Sequence, residues 1–190
     1  MFGTRFVNAA KAFVRLSRDN PDEALKSVTR AAKASALGTL YLVNAVCAAH
    51  LFAEHIGWIN LVDGPSMLPT MADSGEYILE NKMIRPKDIK RGDLVTYLSP
   101  LDPSRIVCKR VIGLPGDIIC VDPTGELAPS TEHVVIPRNH VWLSGDNAVM
   151  SRDSRVYGPV SMALIKGRMV ARVWPPSKIT VFRSNFDYID

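Results

Sequence analysis

Between Ala34 and Ala53 the chain runs for 20 residues without a single Asp, Glu, Lys or Arg. As a helix that stretch is about 30 Å long, the thickness of a bilayer core, and any fold must bury it or give it lipid. Ser35, Thr39, Asn44 and His50 temper its hydrophobicity, so a buried core helix is the competing reading. Its flanks favour the membrane: Lys26, Arg30 and Lys33 precede it, Glu54 follows it, and Trp58 stands at interfacial distance. Positive charge retained on the insertion side leaves everything after residue 58 on the opposite face.

Residues 1–33 carry seven basic side chains against Asp19, Asp22 and Glu23, which accounts for the whole net charge of +4. The other 157 residues hold 16 basic and 16 acidic groups. A neutral body argues against a nucleic-acid surface, which needs clustered cations on the folded domain. The first segment reads as basic and weakly amphipathic: Lys11, Arg15 and Arg18 share one helical face, with Phe6, Ala10 and Phe13 on another. Asn20-Pro21-Asp22-Glu23 is a helix start, with a capping side chain, proline at the first helical position and acids in the first turn. A mitochondrial targeting segment and a helix lying beside a membrane both fit this pattern.

From Asn60 onward the pattern turns to short strands, and all 13 prolines except Pro21 lie there. Runs at Glu76–Leu79, Leu94–Leu98, Arg105–Ile112, Ile118–Val121, His133–Ile136, Val141–Ser144 and Met169–Trp174 alternate or are apolar, punctuated by Gly, Pro and Asp. The expected organisation is a basic segment 1–33, an anchor 34–56 and a mostly β body 57–190. Three cysteines without a C-x-x-C read as buried free thiols, with a Cys108–Cys120 pair as the alternative. His50, Glu54 and His55 have the wrong spacing for an inverted zinc-protease motif, and His133 and His140 lack ligand partners at metal spacing. Neither a metal nor a cofactor is expected.

Three stretches carry chemistry. In Gly64-Pro65-Ser66-Met67-Leu68-Pro69-Thr70 two prolines stiffen a loop that presents a serine hydroxyl. Alone, this is an ordinary turn serine, and it is not the G-x-S-x-G elbow. In the strand ending Lys109-Arg110-Val111-Ile112-Gly113-Leu114-Pro115-Gly116-Asp117, Val107, Lys109 and Val111 share a face while Arg110 points away. Valine neighbours disfavour an ammonium and lower its pKa, whereas a solvated edge-strand lysine is the bland alternative. The third stretch, Gly145 to Gly158, crowds Asp146, Ser151, Asp153 and Arg155 behind a strand, where a hydroxyl can pin an amine and an Asp–Arg pair can hold the loop.

Together with Arg91-Gly92-Asp93-Leu94-Val95, these stretches occur in the order found in type I signal peptidases, which the chain resembles over most of residues 60–160. Within that family the likeness is closest to the mitochondrial inner-membrane branch, and in it to the first of two related subunits. The resemblance implies a mostly β, signal-peptidase-like sheet or barrel domain behind an N-terminal transmembrane helix. It implies a serine endopeptidase with Ser66 as nucleophile and Lys109 as general base. Ser151 is implied to orient the Lys109 amine, with Asp153, Arg155 and Asp146 supporting the site.

Some bacterial relatives carry a serine two positions before the nucleophile, and here that position is Gly64. The oxyanion hole is therefore expected to rest on backbone N–H groups, chiefly that of Ser66. The implied setting is the mitochondrial inner membrane, crossed once, with the catalytic domain facing the intermembrane space. Implied partners are precursor-protein substrates with small residues one and three positions before the cut, and a second, related protease subunit. A self-cleaving repressor-type Ser/Lys protease and a non-catalytic partner subunit are the competing readings.

Overall fold

The structure, a computed structural model, describes residues 11, 14, 15 and 18–184. Most of the amphipathic pattern read over residues 2–18 lies outside the described residues. Helix α1 runs unbroken from Pro21 to His55, starting at the Asn20-Pro21 signature, where the Asn20 carbonyl accepts from the Ala24 N–H at 3.1 Å. Its most apolar 18 residues average a hydropathy of 1.6, and it is long and apolar enough to cross a membrane. Only Ala24 along it is buried, which disfavours a core-helix reading. The chain divides into two compact units, residues 1–50 and residues 51–190.

The second unit is an antiparallel β structure. Its strands are β1 (Gly57–Val62), β2 (Glu76–Asn81), β3 (Leu94–Leu98), β4 (Ile106–Gly113), β5 (Ile118–Cys120), β6 (His133–Val135), β7 (His140–Ser144), β8 (Val160–Ser161), β9 (Ile165–Trp174) and β10 (Thr180–Val181). One short helix, α2 (Ser154–Tyr157), sits between β7 and β8. The main sheet has the order β1-β2-β9-β3-β4-β7-β8, with β10 beside β9, while β5 and β6 form a separate hairpin. The late strand β9 thus lies between β2 and β3 at the centre of the sheet.

All seven strands expected from local pattern are present, with ends displaced by a few residues. Strands β1, β8 and β10 were not expected. Trp58, expected at interfacial distance from the apolar run, lies in β1 opposite Glu80 and is exposed. The two-residue β8 and β10 are too short to show a period.

Two apolar clusters hold the sheet. One contains Ile89, Val95, Tyr97, Val111, Val141, Leu143 and Val160, and the other Met67, Met71, Ile78, Leu94 and Met169. Strand β4 serves both, since Val107 and Val111 pack with the first and Cys108 with the second. The cysteines depart from the expected burial: Cys47 is exposed, and Cys108 and Cys120 are only partly covered. All three thiols are free, so the Cys108–Cys120 alternative is not formed.

Candidate active site

Lys109 lies in the middle of β4, paired opposite Val95 of β3, and is 4% exposed. Both neighbours on its face, Val107 and Val111, belong to the first apolar cluster. Its amine reaches out of that setting to one hydroxyl: Nζ is 2.5 Å from Ser66 Oγ. Burial lowers the lysine pKa below its usual value, and the acids Asp153 and Asp146 only partly oppose this. On the same strand burial pushes the Cys108 thiol up to about 12, so this sulfur stays protonated beside the lysine at neutral pH.

Ser66 is held in a single 3-10 turn, Pro65–Met67. Proline at the first helical position suits this, because that N–H has no partner in a helix anyway. Gly64 enters the turn at φ 108°, a left-handed backbone that glycine accepts without strain. The next turn closes through the Leu68 N–H on the Pro65 carbonyl at 3.2 Å and the Met71 N–H on the Met67 carbonyl at 2.9 Å. The Ser66 N–H donates to no protein group among the described residues.

Asn147 clamps this loop from outside. Its backbone N–H donates to the Ser66 carbonyl at 3.1 Å and its Nδ2 to the Pro65 carbonyl at 3.2 Å. Gly145 makes that approach possible, since a Cβ there would strike the Ser66 carbonyl and the Ser151 side chain. Asn147 stood in the polar stretch with no role assigned to it. Its position directly after Asp146 was the available signal, because an amide beside a tight turn reaches carbonyls that an acid cannot.

Asp153 anchors the loop behind the lysine and is fully buried. It accepts from the Gly145 N–H at 2.8 Å, from Ser151 Oγ at 2.7 Å and from Arg155 Nε at 2.9 Å. Burial pushes its pKa up, but the bonds from Arg155, Gly145 and Ser151 outweigh this and hold it below the ordinary carboxylate value. Asp153 also caps α2 through the Arg155 N–H, and Arg155 Nη2 reaches the Ala148 carbonyl at 2.8 Å. The Ser151 hydroxyl, expected to orient the Lys109 amine, donates its proton to Asp153 and keeps its oxygen as an acceptor.

Asp146 and Arg110 form a second support. The guanidinium meets both carboxylate oxygens at 2.8 and 2.7 Å, and adds the Gly92 carbonyl at 2.9 Å and Thr70 Oγ1 at 3.3 Å. Arg110 points away from Lys109, as alternation requires, and joins the serine loop, the Gly92 turn and the polar loop. Burial raises the Asp146 pKa, and the bonds from Arg110 and Thr70 more than offset that. The remaining motif closes the turn before β3: the Gly92 N–H donates to the Val111 carbonyl at 2.7 Å, and the Val111 N–H to the Asp93 carbonyl at 2.9 Å.

Ser66 and Lys109 open onto a groove of about 1190 Å³. Asn60, Val62, Met67, Glu80 and Thr96 are among the residues that line it. Among the described residues no group of His, Cys, Asp and Glu has the arrangement of a metal site. An amine whose charged form is disfavoured by burial, beside a hydroxyl whose own residue has a free N–H and with a groove in front, has the parts that acyl transfer requires.

The family model for signal peptidase, peptidase S26, matches residues 34–127 and 121–174. The mitochondrial inner membrane protease subunit 1 of Schizosaccharomyces pombe is 45% identical over 128 residues, covering 66% of this chain and 79% of that protein. The protein of the same name in Homo sapiens is 41% identical over 145 residues, 76% of this chain and 86% of its own length. The mitochondrial inner membrane protease subunit 2 of Danio rerio is 35% identical over 130 residues, 66% of this chain and 68% of that one. With the family model spanning most of the chain and such relatives matched over most of their length, the chain belongs to the signal peptidase family, peptidase S26.

Proposed function

We propose that this chain is a membrane-anchored serine endopeptidase of the mitochondrial inner membrane. It removes sorting peptides from proteins delivered to the intermembrane space, with Ser66 as nucleophile and Lys109 as general base. The observation that carries this reading is a lysine amine buried among valines and 2.5 Å from the Ser66 hydroxyl.

Neutral Lys109 takes the Ser66 proton as Oγ attacks the scissile carbonyl. The oxyanion that develops is met by the Ser66 N–H, which is free for it. The lysine ammonium then gives its proton to the leaving amine. Water, deprotonated by the same amine, hydrolyses the acyl-enzyme in a second cycle. Asp153 with Ser151 and Arg155, and Asp146 with Arg110, hold the loops that fix the distance between the two reacting groups.

The catalytic domain faces the intermembrane space, and a second, related subunit completes the protease. Relatives named as subunits 1 and 2 of one protease support the latter. In the assembled, membrane-reconstituted enzyme, Ser66→Ala and Lys109→Met each lower cleavage of a presequence-bearing precursor by about a thousandfold or more. Both variants stay inserted and folded. Substantial cleavage by either variant would end the dyad reading.

A further inference from the structure

Thr70, four residues after the nucleophile, is held by two arginines at once. Arg110 of β4 donates to its hydroxyl at 3.3 Å, and Arg172 of β9 donates from Nη2 to its carbonyl. Met67 and Met71 on either side of it are buried in the second apolar cluster. The Gly64 N–H closes the base of the loop on the Asp73 carbonyl at 2.7 Å. Ser66 is therefore suspended between Gly64 and Thr70, and the Thr70 carbonyl is the point where β9 takes hold of that loop.

Arg172 is itself enclosed. Its Nε lies 2.9 Å from Glu76 Oε2, an ion pair whose side chains are only 12% and 3% exposed. The same carboxylate oxygen accepts from the Ala72 N–H at 3.1 Å, so acid and arginine hold the same turn. On the other side the Phe182 ring centre is 5.9 Å from the guanidinium carbon, and Nη1 reaches the Lys178 carbonyl at 3.5 Å. The Phe182 N–H in turn donates to the Val170 carbonyl at 2.8 Å, just past β10. The guanidinium favours the loop over the acid: Nε is not aligned for a hydrogen bond to Glu76, whereas Nη2 is aligned on the Thr70 carbonyl. An arginine that served only to neutralise Glu76 would turn its fork to the carboxylate, where two parallel bonds are stronger.

We propose that Arg172 is a positioning residue for Ser66, acting through the Thr70 carbonyl, and that the C-terminal segment from Pro176 to Phe182 keeps it aimed there. This rests on the peptidase reading. Strands β4 and β9 lie on either side of β3, so the two arginines fix the loop against the sheet from two directions. One of those strands carries Lys109. Without the Arg172 bond the end of the loop beyond Ser66 is free to shift, and Oγ leaves its place 2.5 Å from the lysine amine. The chemical step slows, while the residues that line the groove keep their positions for binding.

The test uses the full chain with its second subunit in liposomes, and one presequence-bearing precursor. Arg172→Gln is expected to lower kcat by about tenfold to a hundredfold with KM little changed, because a small misplacement of a reacting group is penalised steeply. It also melts lower, since Glu76 is left with only the exposed Lys178, 3.7 Å away, as a charge partner. Arg172→Lys separates the two effects. A lysine restores charge opposite Glu76 and with it most of the Tm, but one ammonium cannot serve Glu76 and the Thr70 carbonyl together, so kcat stays low. Phe182→Leu keeps an apolar cover, removes the ring face and lowers kcat by about two- to fivefold. Ile136→Val, a buried core change at the end of β6, supplies a loss of Tm alone. If kcat follows Tm across the two Arg172 variants and Ile136→Val, Arg172 is a plain structural tie and the proposal is overturned. A raised KM with unchanged kcat overturns it too. Should Arg172→Gln fail to fold, unchanged kcat in both Arg172→Lys and Phe182→Leu is the overturning result. An unmodified enzyme that leaves the precursor uncut overturns the peptidase reading itself, and this proposal falls with it.

Discussion

A single amine carries two opposed demands. Catalysis needs Lys109 neutral, and burial among Val107, Val111 and Val95 lowers its pKa below the free value of 10.5. Activity therefore rises with pH as the amine loses its proton and falls in acid, about tenfold per unit once the pH is below the lowered pKa. A kcat/KM profile over pH reads this directly, and a profile flat down to about pH 5 would contradict it. Stability follows the other side of the same shift. The unfolded chain keeps its lysine protonated up to about 10.5, whereas the folded chain releases that proton earlier, so between the lowered pKa and 10.5 the unfolded state binds more protons. Lys109 thus subtracts stability at neutral pH, and its cost shrinks as the pH climbs toward 10.5. Lys109→Met is expected to melt higher than the parent at pH 7 while losing cleavage, with the gap narrowing in alkaline buffer. A lower Tm for that variant at pH 7 would mean that the amine is held by compensating charge rather than stripped of water.

At the scale of elements, the site is a loop clamped against the end of a strand. Asn147 grips the Pro65 and Ser66 carbonyls, and Gly145 leaves room for that grip. Asn147→Ala keeps the backbone bond and loses the side-chain one, a loss of about 1 kcal/mol. Its effect on kcat is expected to exceed its effect on Tm, because a misplaced nucleophile is penalised steeply. Parallel turnover and melting measurements separate the two, and equal proportional losses would make Asn147 a plain structural tie. Gly145→Ala is the harsher change, since its methyl meets backbone as well as Ser151. Much of this region was legible beforehand: the alternating face of β4, the turn chemistry around Ser66 and the polar crowding after β7 are local properties of short stretches. The partner of Ser151, the Arg110–Asp146 tie and the insertion of β9 between β2 and β3 were not. Each depends on which distant strands become neighbours, and strand order in a sheet is decided by global packing that no local period records. Glu80 illustrates this well. It lies just past the run read over Glu76–Leu79, and its burial becomes visible only once Asn60, Thr96 and Gly167 surround it.

At the scale of the whole molecule, charge is distributed so that one end alone can direct insertion. The body from residue 34 onward balances its charges, and no Lys or Arg occurs between Lys33 and Lys82. All cations close to the apolar run therefore lie on its N-terminal side. Basic residues within about 20 positions of a span, rather than net charge, set its orientation. Helix α1 begins with Lys26, Arg30 and Lys33 and continues unbroken through the apolar run, so the orienting charges and the span are one rigid element. The N-terminus is expected in the matrix and residues 57–190 in the intermembrane space, where α1 crosses the inner membrane once. In intact mitochondria a C-terminal tag should resist added protease. It should become digestible when the outer membrane alone is ruptured, while α1 stays in the carbonate-resistant pellet. Replacing Lys26, Arg30 and Lys33 together by Gln should lower the digestible fraction, because the signal that holds the N-terminus back is gone, without altering the melting of correctly inserted molecules. A tag still protected after rupture of the outer membrane would put the Ser66–Lys109 pair on the matrix side, where proteins already delivered to the intermembrane space are out of its reach.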